Sequence, residues 1–439
     1  MAKFCSKLRL AAAWSCGGCQ LWAILLLQIF VLSFVVGPYL ATTDGFNGLW
    51  GGANNLPGVG AVGLSPVVDV DALRLRGVNL PAPNELSKLL LACNSLPPRN
   101  LDLFPSLRDD RILIVLYVHF RPEYLKLAVS ALSVVNGINE TLLIVSHDGF
   151  YEEMNAVVES IRFCQVKQIF APWSPHLYTD QFPGTSPGDC KDKDDAETLG
   201  CRGNPDQYGN HRSVRIVSLK HHWWWMMNTV WDGLEETRGF NGHAMFIEED
   251  HYLLPNAYRN IQILAELKQK KCPYCIAANA APVDVRSRGE RFNQLVAEKI
   301  GNVGYTFNRT VWKRIHTQAE RFCKFDDYNW DITMWTMIYP TFGDALYTLR
   351  GPRTSAVHFG KCGLHQGYSK SKSSQCRDSA MHLGSIEEAD KVPNIDLEWS
   401  VRKYPIRGYA SGFQGWGGWA DKRDQNLCLS FSSMYSTSP

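Results

Sequence analysis

An excess of charge of one sign is missing from this sequence. Lys and Arg number 45 against 43 Asp and Glu, a formal net charge of +2 over 439 residues. Lys3, Lys7 and Arg9 contribute three of the positives before the first apolar run, so the remainder is slightly acidic. With no basic face, the composition argues against a nucleic-acid partner. No GxGxxG follows the first strand-like run, so a dinucleotide fingerprint is absent. There is no internal repeat, and only one stretch is long and apolar enough to be a membrane span. Charged residues are 20% and hydrophobic ones 45%, which excludes wholesale disorder and leaves enough apolar surface for a sizeable core.

The one long apolar stretch lies at the N-terminus. No charged residue occurs from Leu10 to Thr43, and Leu21 to Leu40 has only Gln28 and Ser33 clearly polar. Such a run spans a hydrocarbon core of about 30 Å. The preceding basic residues predict a type II orientation, with 1–20 as a cytoplasmic tail and 21–40 as a transmembrane signal anchor. A cleaved signal would carry a shorter apolar region behind a shorter head. Residues 41–85 read as a glycine-rich stem, and 86–439 as the folded domain beyond it. Of 13 cysteines, Cys5, Cys16 and Cys19 precede the anchor. The other ten form an even set, as expected of an oxidising lumen. Spacing makes Cys190–Cys201, Cys272–Cys275 and Cys362–Cys376 candidate disulfides. Sequons at Asn139 and Asn308 agree with a lumenal location.

From Arg111 onward the pattern is α/β. Arg111–Phe120 is an apolar, β-branched run suited to a strand buried on both faces. Glu123–Val135 has helical spacing, Thr141–Ser146 is a second strand, Tyr151–Phe163 a second helix and Val166–Phe170 a third strand. That alternation is the grammar of a doubly wound sheet, which binds ligands beyond the carboxyl ends of its strands. The acidic run 189–197 reads as a solvated, disulfide-closed loop rather than a metal site. His211–Gly233 is a long helix carrying His221, His222 and Trp223 to Trp225. An aromatic run that thick is expected to line a ligand surface or an interface in part. Gly412–Trp419 reads as a close-packed irregular loop.

Three constellations could carry chemistry. An apolar strand, His243–Ile247, runs into Glu248, Glu249 and Asp250, followed by His251. Three like charges at a ligand-binding rim repel unless a cation or donor groups compensate them, which favours metal or ligand binding over a solvated loop. In the second, Phe325–Asp331, Asp327 or Asn329 is a candidate helix cap. Asp331 sits beside Trp330 in an amphipathic segment, where desolvation pushes a carboxylate toward the range of a general base. The third is His358, which by itself reads most simply as a core histidine; an imidazole joined to carboxylates would suit Mn²⁺. Cys272 and Cys275 have redox-motif spacing, but a structural disulfide is the better reading in a disulfide-rich lumenal chain.

Seven stretches together resemble the Golgi N-acetylglucosaminyltransferase II family: RPEYL at 121–125, SHDGF at 146–150, QFPGTSPGDC at 181–190, LKHHWWWMMNTVWD at 219–232, FIEEDHYLLPNA at 246–257, DDYNWD at 326–331 and GWGGWADKRDQNLC at 415–428. They occur in the family's order over about Arg111 to Cys428. The resemblance implies a GT-A glycosyltransferase fold, a Rossmann-like mixed sheet with helices on both faces. It implies Mn²⁺ dependence and inverting transfer of GlcNAc from UDP-GlcNAc to the 2-hydroxyl of the α-1,6-arm mannose of glycoprotein N-glycans. By motif, Asp250 and His358 would hold the metal and Asp331 would be the catalytic base. Tyr117, Val118, His119, Phe120 and Arg121, with Asp148, Ser218, Leu219, Lys220, His221, His222 and Arg286, would surround the donor. A Cys323–Cys428 disulfide is implied in the same way, which leaves Cys93 and Cys164 as free, buried thiols. The family usually has Asn where this chain has Phe120, which removes a donor and an acceptor there. Two rivals follow: another β-1,2-GlcNAc transferase with a different acceptor, or a catalytically weak lumenal glycan-binding homologue. A thiol oxidoreductase built on Cys272 and Cys275 is a more distant one.

Overall fold

A computed structural model describes residues 68–343, 346–360 and 394–435. The expected tail and anchor, and Cys362 and Cys376, lie outside the described residues. Among the described residues no helix is long and apolar enough to cross a membrane. Two short helices come first, α1 (Val70–Leu75) and α2 (Glu85–Asn94), capped by the side chains of Asp69 and Asn84. Leu73, Val78 and Leu80 are buried in the larger core cluster.

The centre of the molecule is a mixed nine-stranded sheet in the order β11-β7-β9-β6-β8-β4-β1-β2-β3. Its first half is β1 (Ile112–Val118), α3 (Pro122–Ser133), β2 (Leu142–His147), α4 (Glu152–Glu159) and β3 (Gln165–Phe170). β1, β2, β3 and β4 (His243–Glu248) are parallel, as the alternation of elements required. Every residue of β1 is buried. Leu113, Val115 and Tyr117 enter one core cluster, whereas Ile112, Ile114, Leu116 and Val118 enter the other. The period of two thus feeds a hydrophobic layer on each face of the sheet. α4 ends at Glu159, earlier than its apolar pattern suggested.

Antiparallel β8 (Tyr305–Asn308) sits between β4 and β6 (Cys275–Asn279). β7 (Leu295–Lys299), β9 (Tyr347–Arg350) and β11 (Val401–Lys403) complete the edge. A separate two-stranded ribbon joins β5 (His251–Leu253) to β10 (Ala356–His358), antiparallel, with His358 opposite His251.

α5 (Val214–Asn228) corrects the expectation for the aromatic run. Trp223, Trp224 and Trp225 are each at most 1% exposed and line no surface. Neighbours surround them on all sides. Trp223 donates to Tyr305 Oη at 2.8 Å and Trp224 to Ser432 Oγ at 2.9 Å, on the C-terminal helix α9 (Lys422–Ser433).

Cys190–Cys201, Cys272–Cys275 and Cys323–Cys428 are disulfides. Cys272 and Cys275 are buried, which leaves the oxidoreductase reading without an accessible thiol. Cys164 is free and buried as expected, but Cys93 is disulfide-bonded, so pairing by sequence distance failed for it.

Candidate active site

β1 and β4 lie side by side with Tyr117 opposite Glu248, and the end of β4 presents three carboxylates to the loop that leaves β1. Each finds a partner on β1 or the loop after it. Tyr117 Oη donates to Glu248 at 3.2 Å. The His119 backbone N–H donates to Glu249 at 2.9 Å, and Arg121 Nε donates to the same carboxylate at 2.5 Å. Arg121 Nη1 reaches Asp250 Oδ2 at 2.6 Å. One guanidinium therefore draws two buried carboxylates together and offsets their repulsion. Desolvation would raise the pKa of Asp250, but Arg121 and His358 hold it well below the usual carboxylate range. Desolvation and the neighbouring charge of Asp250 push Glu248 the other way, up to about 7.

The ribbon register places His358 beside the last of these acids. His358 Nε2 lies 3.3 Å from Asp250 Oδ2, and the ladder continues through Phe359 N–H to the Asp250 carbonyl at 3.0 Å. His251 joins them, with Nε2 4.0 Å from Asp250 Oδ1. Its Nδ1 accepts the Glu248 N–H at 3.0 Å, and burial lowers its pKa to about 3, so it is neutral. The three side chains offer ligand atoms within 4.8 Å of one another. Among the described residues Asp250 Oδ1 is buried with no hydrogen-bond partner, a costly state for a carboxylate oxygen unless a cation fills it. Gly360 supplies the space: a Cβ there would fall 2.1 Å from Asp250 Oδ2. An unpaired carboxylate oxygen beside the His358 imidazole fits a divalent cation of the Mn²⁺ type.

A second cluster lies at the ends of β1 and β2. His119 Nδ1 is 3.0 Å from Asp148 Oδ2, and Ser174 Oγ donates to Asp148 Oδ1 at 2.9 Å. His176 Nε2 stands 3.1 Å from Ser218 Oγ and 3.5 Å from Asp148 Oδ2. His222 Nε2 meets Ser146 Oγ at 2.9 Å. Desolvation works to raise the Asp148 pKa, but His119 and His176 hold it far below the ordinary carboxylate range. An ionised, buried acceptor of this kind suits the N–H edge of a base.

Asp331 opens a short helix, α8 (Trp330–Thr333), and lines a cavity of about 130 Å³ with Lys299, Asn302, Trp335, Tyr339 and Tyr409. Trp330 fixes its place. That indole stacks on Trp223 at 4.8 Å with an interplanar angle of 3°, and meets the edge of Tyr117 at 6.3 Å. Tyr117 bonds Glu248, so one chain of contacts links the triplet to the Asp331 cavity.

With this geometry in place, comparison with known proteins is informative. Residues 89–428 match the family profile described as N-acetylglucosaminyltransferase II (MGAT2). An Arabidopsis thaliana alpha-1,6-mannosyl-glycoprotein 2-beta-N-acetylglucosaminyltransferase is 63% identical over 353 residues, 80% of this chain and 82% of that protein. The chain belongs to the N-acetylglucosaminyltransferase II family. A Homo sapiens protein of the same description is 31% identical over 428 residues, covering 91% of this chain and 92% of that protein. Among solved structures, galactosyltransferase LgtC with donor and acceptor sugar analogues aligns at a TM-score of 0.30 and 12% identity, covering 64% of this chain and 97% of that one.

The structure divides the residues that the N-acetylglucosaminyltransferase II motifs suggested for the donor. Tyr117, Val118, His119 and Arg121 border the two clusters with Asp148, Ser218 and His222. Ser218 and His222 are four apart on α5 and share a face. The side chains of Lys220 and His221 have partners outside the two clusters. Lys220 Nζ donates to the carbonyls of Phe325 at 3.0 Å and Asp327 at 2.9 Å. His221 Nε2 pairs with Asp424 of α9 at 2.9 Å. Lys220 thus ties α5 to the segment before Trp330, and His221 ties it to the C-terminal helix. Leu219 is half-buried between them, and Arg286 is exposed on the loop after β6. Phe120 is 52% exposed and packs on Tyr151 at 4.4 Å between ring centres, so it has a local partner of its own. Asn139 is exposed in the one-turn 3₁₀ helix Ile138–Glu140, whereas Asn308 caps the helix Arg309–His316 through the Val311 N–H.

The sequence reading gave no role to three neighbours. His251 follows Asp250 directly and Gly360 lies two residues past His358, and that nearness was the available signal. His176 lies on an irregular loop, and nothing in its local sequence marked it.

Proposed function

We propose that this chain transfers N-acetylglucosamine from UDP-GlcNAc to the 2-hydroxyl of the α-1,6-arm mannose of glycoprotein N-glycans, forming a β-1,2 linkage by inversion, within a GT-A-type domain. The observation that carries this reading is the meeting of Asp250 and His358 at 3.3 Å beside an unpartnered, buried Asp250 oxygen. Mn²⁺, held by Asp250 and His358, would supply electrophilic stabilisation of the departing diphosphate.

The chain's own residues carry the other steps. Arg121 and Glu249 fix the loop after β1 against the triplet, so the donor end of the site is organised before substrate arrives. The Asp148 cluster takes the base of the donor through an ionised oxygen. A sugar hydroxyl is a weak nucleophile and needs a positioned base; Asp331, at the wall of the cavity, accepts its proton. The acceptor oxygen forms the new bond to C1 as the bond from C1 to the phosphate oxygen breaks. That electron pair leaves with UDP, and attack from the opposite face converts the α-linked donor to a β-linked product. Tyr117 and Trp330 set the spacing between the two ends of this displacement.

The N-terminal run, 21–40, anchors the chain as a single-pass type II protein of the Golgi membrane, with the domain in the lumen. The test is transfer to defined N-glycan acceptors with and without Mn²⁺. Turnover on another mannose alone would favour a β-1,2-transferase of different acceptor specificity. Binding without turnover would favour the glycan-binding homologue.

A further inference from the structure

The segment after β11 carries aromatic rings that the fold leaves exposed at the mouth of the Asp331 cavity. Tyr409 lines the cavity itself. Its ring stacks on Phe413 at 4.8 Å with an interplanar angle of 17°, and Phe413 meets the edge of Trp416 at 5.7 Å. Trp416 is 58% exposed and Tyr409 37% exposed. An exposed indole on a loose loop would mean little, but this loop is held firmly. The Trp416 N–H donates to buried Asp327 at 2.9 Å, and the Gly418 N–H donates to buried Asp206 at 2.7 Å. Tyr208 Oη and Gln207 Nε2 both donate to the Gly415 carbonyl at 3.0 Å. Gly415 and Gly417 take φ of +96° and +81°, and a Cβ at either would strike Asp326 or Asp206 within 2.3 Å. At the inner end Lys299 Nζ sits 3.9 Å from the Trp335 ring and 5.1 Å from that of Tyr409, which fixes Tyr409 against the cavity wall.

Two buried carboxylates and two left-handed glycines therefore hold an indole out toward solvent, in a row that starts beside the residue assigned as base. A pyranose presents an apolar C–H face that packs flat on such rings, and rigid aromatics give that contact at little entropic cost. We propose that Tyr409, Phe413 and Trp416 form a stacking ledge for the acceptor oligosaccharide, which leads its reacting sugar into the Asp331 cavity. The ledge binds a neutral glycan chain and has no part in holding the nucleotide. This proposal rests on the transferase reading above.

The test uses the full-length protein and compares Trp416→Ala and Tyr409→Ala with Trp416→Phe and Tyr409→Phe. The alanine variants are expected to raise the acceptor KM roughly fivefold to tenfold, the scale of one lost aromatic contact. The UDP-GlcNAc KM stays within about twofold, and the phenylalanine variants, which keep a ring face, recover most of the loss. An unchanged acceptor KM in Trp416→Ala, as expected if the ledge docks a protein or a second copy of this chain, overturns the proposal. So does a parallel rise in donor KM. Calorimetric titration with the N-glycan oligosaccharide in the absence of donor separates this idea from the transferase reading. Weaker binding by Trp416→Ala supports the ledge whether or not the wild type turns over, and equal binding removes it.

Discussion

Gly360→Ala is the sharpest perturbation of the site, because it adds one methyl group and removes no ligand. The new Cβ would lie 2.1 Å from Asp250 Oδ2, 2.8 Å from its Cγ and 2.9 Å from its own Cβ. Real Cβ atoms essentially never approach closer than 3.0 Å, so the carboxylate must retreat by roughly 0.9 Å. Arg121 at 2.6 Å and His358 at 3.3 Å already fix its position, leaving it little room to turn without breaking one of those contacts. A misplacement of about 1 Å in a positioned group costs on the order of 100-fold in rate, or about 2.7 kcal/mol. Initial rates over an Mn²⁺ titration are the assay. The expected result is a fall in kcat/KM of that order with a higher metal requirement, while the thermal midpoint moves by only a few degrees. Wild-type kcat/KM with an unchanged metal dependence would refute the claim that Asp250 needs the space beside Gly360.

Other expectations concern residues of quite different duty. Asp331→Asn should abolish transfer while UDP binding in the presence of Mn²⁺, followed by calorimetry, stays near wild type; ordinary turnover would remove Asp331 from the role of base. Lys220→Met should cost roughly 1–3 kcal/mol of stability, because it strips the donor from two buried carbonyls. Its donor KM should be little changed in the protein that remains folded, and the reverse pattern would return Lys220 to the donor site. Asp424 gives a pH signature. Desolvation would raise its pKa, but Arg212 and His221 lower it to about 2, below the ordinary carboxylate value of 3.8. A depressed carboxylate stabilises the fold fully above its unfolded pKa and loses that contribution as pH falls through the folded one. About 2 kcal/mol should therefore disappear between roughly pH 4 and pH 2 in urea melts. The Asp424→Asn variant should lack that component, and an identical pH profile would contradict the assignment.

Much of the architecture was legible because its cause is local. β1 reads as a doubly buried strand from its apolar run alone, and the βαβ alternation forces the parallel first half of the sheet. The end of β4 was legible for the same reason: an apolar strand running into three acids can only deliver them at the sheet's rim. His358 was not legible on those terms. Its place beside Asp250 depends on the register of β10 on β5, and the two strands are about a hundred residues apart, so only the family resemblance brought the two together beforehand. The tryptophans of α5 were misread because a helix that is apolar on most faces can be exposed or enclosed. Enclosure here needs the sheet, α8 and α9 together, which no local window contains. Lys220 and His221 illustrate a related limit. A motif marks a stretch of chain, but a helix turns successive side chains by about 100°, and only Ser218 and His222 share the face toward Asp148. The Cys93 disulfide escaped because proximity in sequence was the only guide to pairing.

The most direct measurement is the structure of the product. Purified protein is supplied with UDP-GlcNAc, Mn²⁺ and a defined N-glycan acceptor bearing an open α-1,6-arm mannose, and the new linkage is read by NMR. One GlcNAc in β-configuration on the 2-oxygen of that mannose is the expected outcome, with none formed by Asp250→Ala. An α-configured product, a linkage to another oxygen or another arm, or undiminished transfer by Asp250→Ala would contradict the account.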